Sequence, residues 1–158
     1  HCNIDSRSIH AYILGEHGDS EFPVWSRATL GGVNIDSYCM LCNNKSDCDH
    51  KAKLDEIFTN VKNSAYKIIE KKGETSYGIG LALVRITQAV LQNENAVLPV
   101  SVLIEDFCGV NDVYLSLPTV INADGVRQVQ KIEFNETEKK SFVESAKVLK
   151  GLLKEVGF

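Results

Sequence analysis

The sequence predicts an α+β fold in which an antiparallel sheet packs with long helices. Apolar residues recur at helical spacing over 50–72, 77–92 and about 136–156, whereas three β-prone runs follow one another between 96 and 134. Strands and helices are therefore grouped rather than alternating, as in α+β proteins. A length of 158 residues fits one domain, which we assign to 1–158.

The first half of the chain predicts one strand and one long helix. The run "IHAYIL" at 9–14 is apolar and β-prone, and Gly15 stops it. A polar, cysteine-bearing loop follows from about 37 to 49. The pattern over 50–72 then predicts one amphipathic helix, about 35 Å long at about 1.5 Å per residue, which Gly73 ends.

The second half predicts a buried helix, an antiparallel sheet and a closing helix. The run 77–92 is apolar nearly all round with Arg85 as its one charge, which predicts burial between layers, and Thr75 and Ser76 are its predicted cap. The strands "AVLPVSVLI" and "VYLSLPTVI" lead through the turn "NADG" at 122–125 into a third run. In that run the residues predicted to face a core are Val129, Ile132 and Phe134. The closing helix has one apolar stripe, made of Phe142, Ala146, Leu149, Leu153 and Val156.

Composition excludes several partner classes. A net charge of −4 and a pI near 5.6 give no broad basic field, so we expect neither nucleic acid nor an anionic membrane surface as the main partner. No apolar run is long enough to cross a bilayer. Five cysteines, an odd number, with no secretory signal favour reduced thiols in a cytoplasm. Because residue 1 is His rather than Met, we expect the chain to be the latter part of something longer.

The stretch "GEHGDS" places His17 between two glycines, with Glu16 and Asp19 beside it, at the end of an apolar run. A lone histidine is more often structural, but an imidazole also carries protons near neutral pH. The glycines favour the second interpretation because they let a ligand approach the backbone closely. Ser20 has no G-x-S-x-G elbow around it, which disfavours a hydrolase, and Asp19 is predicted to bond local backbone as a turn residue.

Three stretches, "HAYILGEHGDSEFPVWS", "KKGETSYGIG" and "NENAVLPVSVL", resemble the C-terminal, substrate-binding half of bacterial NAD-dependent L-lactate dehydrogenases. The resemblance runs from residue 3 to the C-terminus. It implies that the full-length protein interconverts pyruvate and L-lactate with NADH and NAD, as a cytoplasmic homotetramer. Sister malate dehydrogenases usually have Gly where Glu16 stands, which favours lactate. The sequence "GIG" at 78–80 lacks the preceding strand and third glycine of a dinucleotide fingerprint.

The resemblance also implies a role for each of five residues. His17 is the catalytic proton donor and acceptor, partnered by an upstream Asp. Thr75 lines the substrate pocket beside the pyruvate methyl, and Ile79 contacts the nicotinamide ring of the cofactor. His10 binds the activator fructose 1,6-bisphosphate across a subunit interface, with a nearby arginine. Tyr66 lies at a position sometimes modified to phosphotyrosine, although we favour a packed amphipathic side chain there.

In this resemblance the NAD-binding domain and the substrate-binding arginine lie upstream of the chain, so we expect the isolated chain to be inactive. Two alternatives stay open besides malate or another 2-hydroxy acid. The chain could serve only in folding and oligomerisation, or it could bind zinc through a Cys3His set formed by Cys39, Cys42, Cys48 and His50. The spacing of these residues is unusual for zinc, and we expect no metal.

Overall fold

A computed structural model describes residues 4–41 and 49–157, the side chains of 39–41 excepted. The helices are α1 (Ile35–Leu41), α2 (His50–Lys62), α3 (Ser64–Lys72), α4 (Tyr77–Leu91) and α5 (Glu136–Glu155). The strands are β1 (Ile9–His10), β2 (Ile13–Leu14), β3 (Phe22–Pro23), β4 (Thr29–Leu30), β5 (Val33–Asn34), β6 (Ala96–Ile104), β7 (Val113–Asn122) and β8 (Gly125–Val129). Two 3₁₀ turns complete the elements, at Ser6–Ser8 and Trp25–Arg27.

The predicted antiparallel sheet is confirmed and consists of β6, β7 and β8, with β7 in the centre. β6 pairs with β7 along its whole length, from Ala96 opposite Ile121 to Ile104 opposite Val113. β8 is shorter and covers β7 only from Thr119 onward. The remaining strands form two small sheets. One contains β1, β4 and β5, with β4 in the centre, and the other contains β2 and β3. One edge of β7 is consequently open to another partner before Thr119.

The prediction of a single strand over 9–14 is wrong. Its first half is β1, which pairs with β4, and its second half is β2, which pairs with β3 in a different sheet. Between them the Tyr12 carbonyl accepts a hydrogen bond of 2.9 Å from the Val24 N–H. The chain therefore changes partner after two residues, and an apolar run carries no information on which strand will pair with it.

The predicted helix over 50–72 is also divided, since α2 ends and α3 begins at Asn63. The Ser64 hydroxyl donates to the Val61 carbonyl at 2.6 Å, and this local bond competes with the regular helical ladder. The apolar stripe is buried only at Leu54, while Ile68 and its apolar neighbours remain substantially exposed. Periodicity thus predicted the helical conformation but neither the break nor the shallow packing.

The helix predicted over 77–92 is confirmed as α4, but its predicted burial is wrong. Within the described residues α4 packs against β7, and Ala89 is its only buried residue. Tyr77 is 80% and Leu91 79% exposed, because no second layer covers the far side of the helix within the part of the chain described. Ser76 occupies the N-cap position, as predicted, but its hydroxyl does not cap the helix and donates to the Glu74 carboxylate at 2.9 Å instead.

Helix α5 closes the main core against β3 and β7. Asn135 and Glu138 form a capping box at its start, and the buried Glu138 carboxylate also accepts from the backbone and hydroxyl of Ser26. The predicted stripe holds for its first half, whereas Val156, the C-cap residue just after the helix, is 70% exposed. Four phenylalanine rings meet beneath the helix: Phe22, Phe107, Phe134 and Phe142. Val129 and Ile132 pack against this core as predicted.

Gly15 joins the β2–β3 pair to the main sheet. It forms a β-bridge with Ser116 on the open edge of β7, and the Ser116 hydroxyl donates to the Gly15 carbonyl at 3.0 Å. Its φ of +102° is a backbone conformation that residues with a Cβ avoid. A Cβ at Gly15 would also lie 2.8 Å from the Ser145 hydroxyl oxygen on α5. Both backbone geometry and space therefore require glycine here.

We expect Gly15→Ala to lower the free energy of unfolding by about 1–3 kcal/mol more than the control Gly31→Ala, because of its additional steric overlap. Gly31 also has a positive φ, of +57°, but nothing lies within 4 Å of its added Cβ. Denaturant unfolding of the 158-residue chain and both variants measures the difference. Equal losses would show that the contact with Ser145 is relaxed at negligible cost.

Candidate active site

The loop 15–20 carries His17 between β2 and β3, so His17 follows a strand end as predicted, whereas β3 was not predicted. The loop is attached to the sheet at Gly15, and inside it the Gly18 N–H donates to the Glu16 carbonyl at 2.9 Å. The His17 side chain is exposed. Among the described residues, none forms a hydrogen bond with its imidazole. The loop is thus fixed at its backbone, while the imidazole is free to meet a ligand.

A ring of hydrogen bonds holds the residue before His17. The Glu16 N–H donates to the Ser145 hydroxyl oxygen at 2.6 Å, and the Ser145 and Ser20 hydroxyl oxygens are 3.1 Å apart. The Ser20 hydroxyl donates to the Glu16 carboxylate at 2.7 Å, and the Ser20 N–H donates to the same oxygen at 3.1 Å. Since Ser20 has one hydroxyl proton, the Ser145 hydroxyl must donate to Ser20. The ring therefore starts and ends at Glu16.

His17 borders a cleft of about 560 Å³ between the loop, the sheet and α5. The cleft is lined by Glu16, His17 and Glu21 on the loop side and by Pro99, Tyr114 and Leu149 among others. Burial raises the pKa of the Glu21 carboxyl, and the opposing effect of the neighbouring His17 and Lys62 charges does not cancel this rise. The cleft thus combines an imidazole, two carboxyl groups and an apolar wall, which suits a small polar ligand.

Asp19 lies in a turn, as predicted, since the Glu21 N–H donates to the Gly18 carbonyl across it. Its predicted bond to local backbone is wrong, because Asp19 connects the loop to the helices instead. Its carbonyl accepts from the Lys62 ammonium at 2.6 Å, and its carboxylate accepts from the Tyr66 hydroxyl at 3.2 Å. The bond to Asp19 raises the pKa of Tyr66. Tyr66 is 56% exposed, so it is a surface residue that attaches α3 to the loop and not the packed side chain we favoured.

The other three predicted site residues lie apart from this cleft. Thr75 is half-buried just before α4, and Ile79 is 55% exposed on the first turn of that helix. His10 is exposed on β1, which belongs to a different sheet from the β2–β3 pair that flanks the His17 loop. The structure brings His17 together with Glu16, Glu21 and the serine ring, and it does not place Thr75, Ile79 or His10 among the residues that line the cleft.

The zinc hypothesis falls largely outside the described residues, since these exclude Cys42, Cys48 and the side chain of Cys39. His50 is described, and its Nε2 lies 3.1 Å from the Asp36 carboxylate. Within 4–41 and 49–157, no group of three or more His, Cys, Asp or Glu residues is arranged to hold a metal ion. Nor does any helix in these ranges have the length and apolar character needed to cross a membrane.

Sequence reasoning missed Ser145, although the sequence contained a signal. Ser145 follows Phe142 by three residues and precedes Leu149 by four, so it lies on the apolar stripe of α5. A polar residue on a core-facing stripe needs a hydrogen-bond partner, and here the partners are Glu16 and Ser20. Which partners these are could not be predicted, because they lie about 125 positions earlier in the chain.

The sequence of the chain is similar to those of bacterial L-lactate dehydrogenases. The chain is 49% identical over 148 residues to L-lactate dehydrogenase 2 of Bacillus cereus, covering 94% of the chain and 46% of that relative. It is 45% identical over 150 residues to L-lactate dehydrogenase 1 of Listeria monocytogenes, covering 95% and 46%. The chain thus spans less than half the length of these relatives.

Solved structures give the same result for the fold. A lactate dehydrogenase from a Medee basin deep-sea metagenome library superposes with a TM-score of 0.91 at 44% identity, covering 98% of this chain and 48% of that one. The ligand-bound minor L-lactate dehydrogenase from Enterococcus mundtii gives a TM-score of 0.88 at 40% identity, covering 97% and 48%. The family described as the lactate/malate dehydrogenase alpha/beta C-terminal domain matches residues 1–157. The chain therefore belongs to the lactate/malate dehydrogenase C-terminal domain family.

Proposed function

We propose that the chain forms the proton-transferring part of an NAD-dependent L-lactate dehydrogenase, with His17 as its acid and base. The observation that carries the proposal is the exposed imidazole at the rim of a cleft, on a loop whose backbone is bonded to both the sheet and α5. General acids and bases must reach the substrate while their supports stay fixed, and this arrangement meets both needs. The relatives that this chain resembles are L-lactate dehydrogenases, which supports the choice of lactate.

The chemistry assigned to His17 is the transfer of one proton. When pyruvate is reduced, its carbonyl oxygen must gain a proton, because a free alkoxide is too basic to persist at neutral pH. A protonated imidazole donates that proton, and a neutral imidazole takes it from the lactate hydroxyl in the reverse direction. NAD, when bound, supplies the hydride chemistry.

The described residues do not fit a complete dinucleotide site. Such a site needs a glycine-rich turn between a parallel strand and a helix, but every strand pair in the described ranges is antiparallel. Ile79 offers an exposed apolar surface that we assign to one side of the nicotinamide ring, and Thr75 is assigned to the substrate pocket. Phosphate binding and hydride positioning are therefore assigned to other parts of the full-length protein.

The same proposal includes the wider properties of the enzyme. Exposed apolar side chains along α4 support a homo-oligomer, which we take to be a tetramer in the cytoplasm. The exposed position of His10 on β1 leaves its imidazole accessible to an anionic ligand at a subunit interface, and we assign it to fructose 1,6-bisphosphate. Phosphorylation of Tyr66 would place negative charge beside Asp19, and we assign it no part in catalysis.

The 158-residue chain alone should not reduce pyruvate, because the cofactor lacks binding groups and positioning worth about 7–11 kcal/mol is lost. Absorbance at the NADH band with purified chain and pyruvate measures this, with the full-length protein as positive control. Turnover by the chain above a heat-killed sample would contradict the division of the active site.

In the full-length protein, His17→Ala should lower kcat for pyruvate reduction by about 10²–10⁴-fold, since a general acid is removed. NADH binding, followed by fluorescence, should stay unchanged because His17 is assigned to proton transfer. His50→Ala, which removes an imidazole bonded to Asp36, is the matched control and should retain kcat. A His17 variant with wild-type kcat would contradict the proposal. Faster turnover of oxaloacetate than of pyruvate by the wild-type protein would favour malate as the substrate.

Fructose 1,6-bisphosphate should lower the pyruvate KM of the full-length tetramer, and His10→Ala should weaken this response without removing basal activity. The response should fade as the pH rises through neutrality, because an imidazole then loses the positive charge that attracts phosphate. Activation curves at two pH values for wild type and variant measure the effect. Identical curves for both proteins would remove His10 from the effector site.

A further inference from the structure

We propose that Ser145 is a positioning residue for His17, acting through the Glu16–Ser20–Ser145 ring. This inference rests on the proposed role of His17 as the acid and base. Ser145 is completely buried, so it cannot touch substrate or cofactor. Its hydroxyl nevertheless contacts the loop at two points, the Glu16 N–H at 2.6 Å and the Ser20 hydroxyl at 3.1 Å.

The position of the ring explains why it acts on His17 in particular. The Glu16 N–H is one residue before His17, so fixing this group fixes the start of the backbone that carries the imidazole. On the other side, the Ser20 N–H and hydroxyl are both bonded to the Glu16 carboxylate, which closes the turn around His17. The Ser116 hydroxyl holds the Gly15 carbonyl on the sheet. The turn is therefore attached to β7 at its start and to α5 through Ser145.

The hydrogen bonds at position 145 require a hydroxyl group, because the side chain must both accept and donate. The Ser145 oxygen accepts the Glu16 N–H while its proton goes to Ser20, so one group serves as acceptor and donor. Alanine would remove both functions and leave the Glu16 N–H without an acceptor in a half-buried place. The loop can relieve this only by moving toward water, which displaces His17 from its substrate.

The test compares kcat of Ser145→Ala with that of wild type in the full-length protein. A displacement of the acid on the order of 1 Å predicts a loss of about 10- to 100-fold in kcat. NADH binding by fluorescence should remain unchanged. The primary deuterium isotope effect with 4-deuterated NADH should rise toward its intrinsic value, because the chemical step becomes slower than product release. Ser141→Ala, one turn earlier on α5 and half-buried, is the control and should retain kcat.

A double variant separates positioning from a general structural role. If Ser145 acts through His17, adding Ser145→Ala to His17→Gln should change the residual kcat by less than about twofold, because coupled residues are not additive. A further loss as large as in the wild-type background would show a structural role and overturn the inference. Unchanged kcat in Ser145→Ala alone would overturn it as well. These results are distinct from failure of the proposed function, in which His17→Gln itself retains wild-type kcat.

If Ser145→Ala does not fold, Ser20→Ala replaces it in both comparisons. That change removes two bonds of the same ring and leaves the buried face of α5 intact. We expect a loss of at least about threefold in kcat, again absent in the His17→Gln background, since an interaction between contacting residues is lost. Wild-type kcat in Ser20→Ala would overturn the inference.

Discussion

The hydrogen bond from the Glu16 N–H to the buried Ser145 hydroxyl is the contact on which the site depends. It connects the loop that carries His17 to the helix that closes the main core, across 129 positions of sequence. Helix α5 is itself fixed by the phenylalanine cluster and by the bonds of Glu138 to Ser26. The rigidity of the core is thereby transmitted to Glu16 and so to the neighbouring imidazole. The loop that carries His17 lies at the surface, but a buried side chain fixes its backbone.

The two sides of the main sheet differ in what they expose. One side of the main sheet faces α5 and supports the cleft, whereas α4 leaves an apolar surface uncovered within the described residues. Apolar patches of this kind mark interaction surfaces. The chain spans less than half the length of its lactate dehydrogenase relatives. Within the described residues every strand pair is antiparallel, so these ranges hold no dinucleotide-binding turn between a parallel strand and a helix. In the proposed function, the chain supplies the proton-transferring residue, and cofactor binding is assigned to other parts of the full-length protein.

The sequence predicted local conformation better than it predicted contacts. The antiparallel strands β6 and β7, the turn after Asn122 and helix α5 were predicted because each has a local signal. The split of 9–14 into two strands and the exposure of α4 were not predicted, because both depend on which partner the segment finds. His17 was predicted as a site residue from its flanking glycines and from the family resemblance. Ser145 was missed because its function depends on a loop that folding brings to it from 125 positions away.

The most direct test of the central claim is amide hydrogen exchange at Glu16 in the full-length protein, resolved to single residues by NMR. If the Glu16 N–H is bonded to a buried hydroxyl, it should exchange only by opening of the loop from α5, at a rate at least about 10³-fold slower than an unstructured peptide. The Phe142 amide, in the core-facing part of α5, provides the reference for strong protection. Exchange of the Glu16 amide within about tenfold of the unstructured rate would show that the loop is not held by Ser145 and would contradict the account.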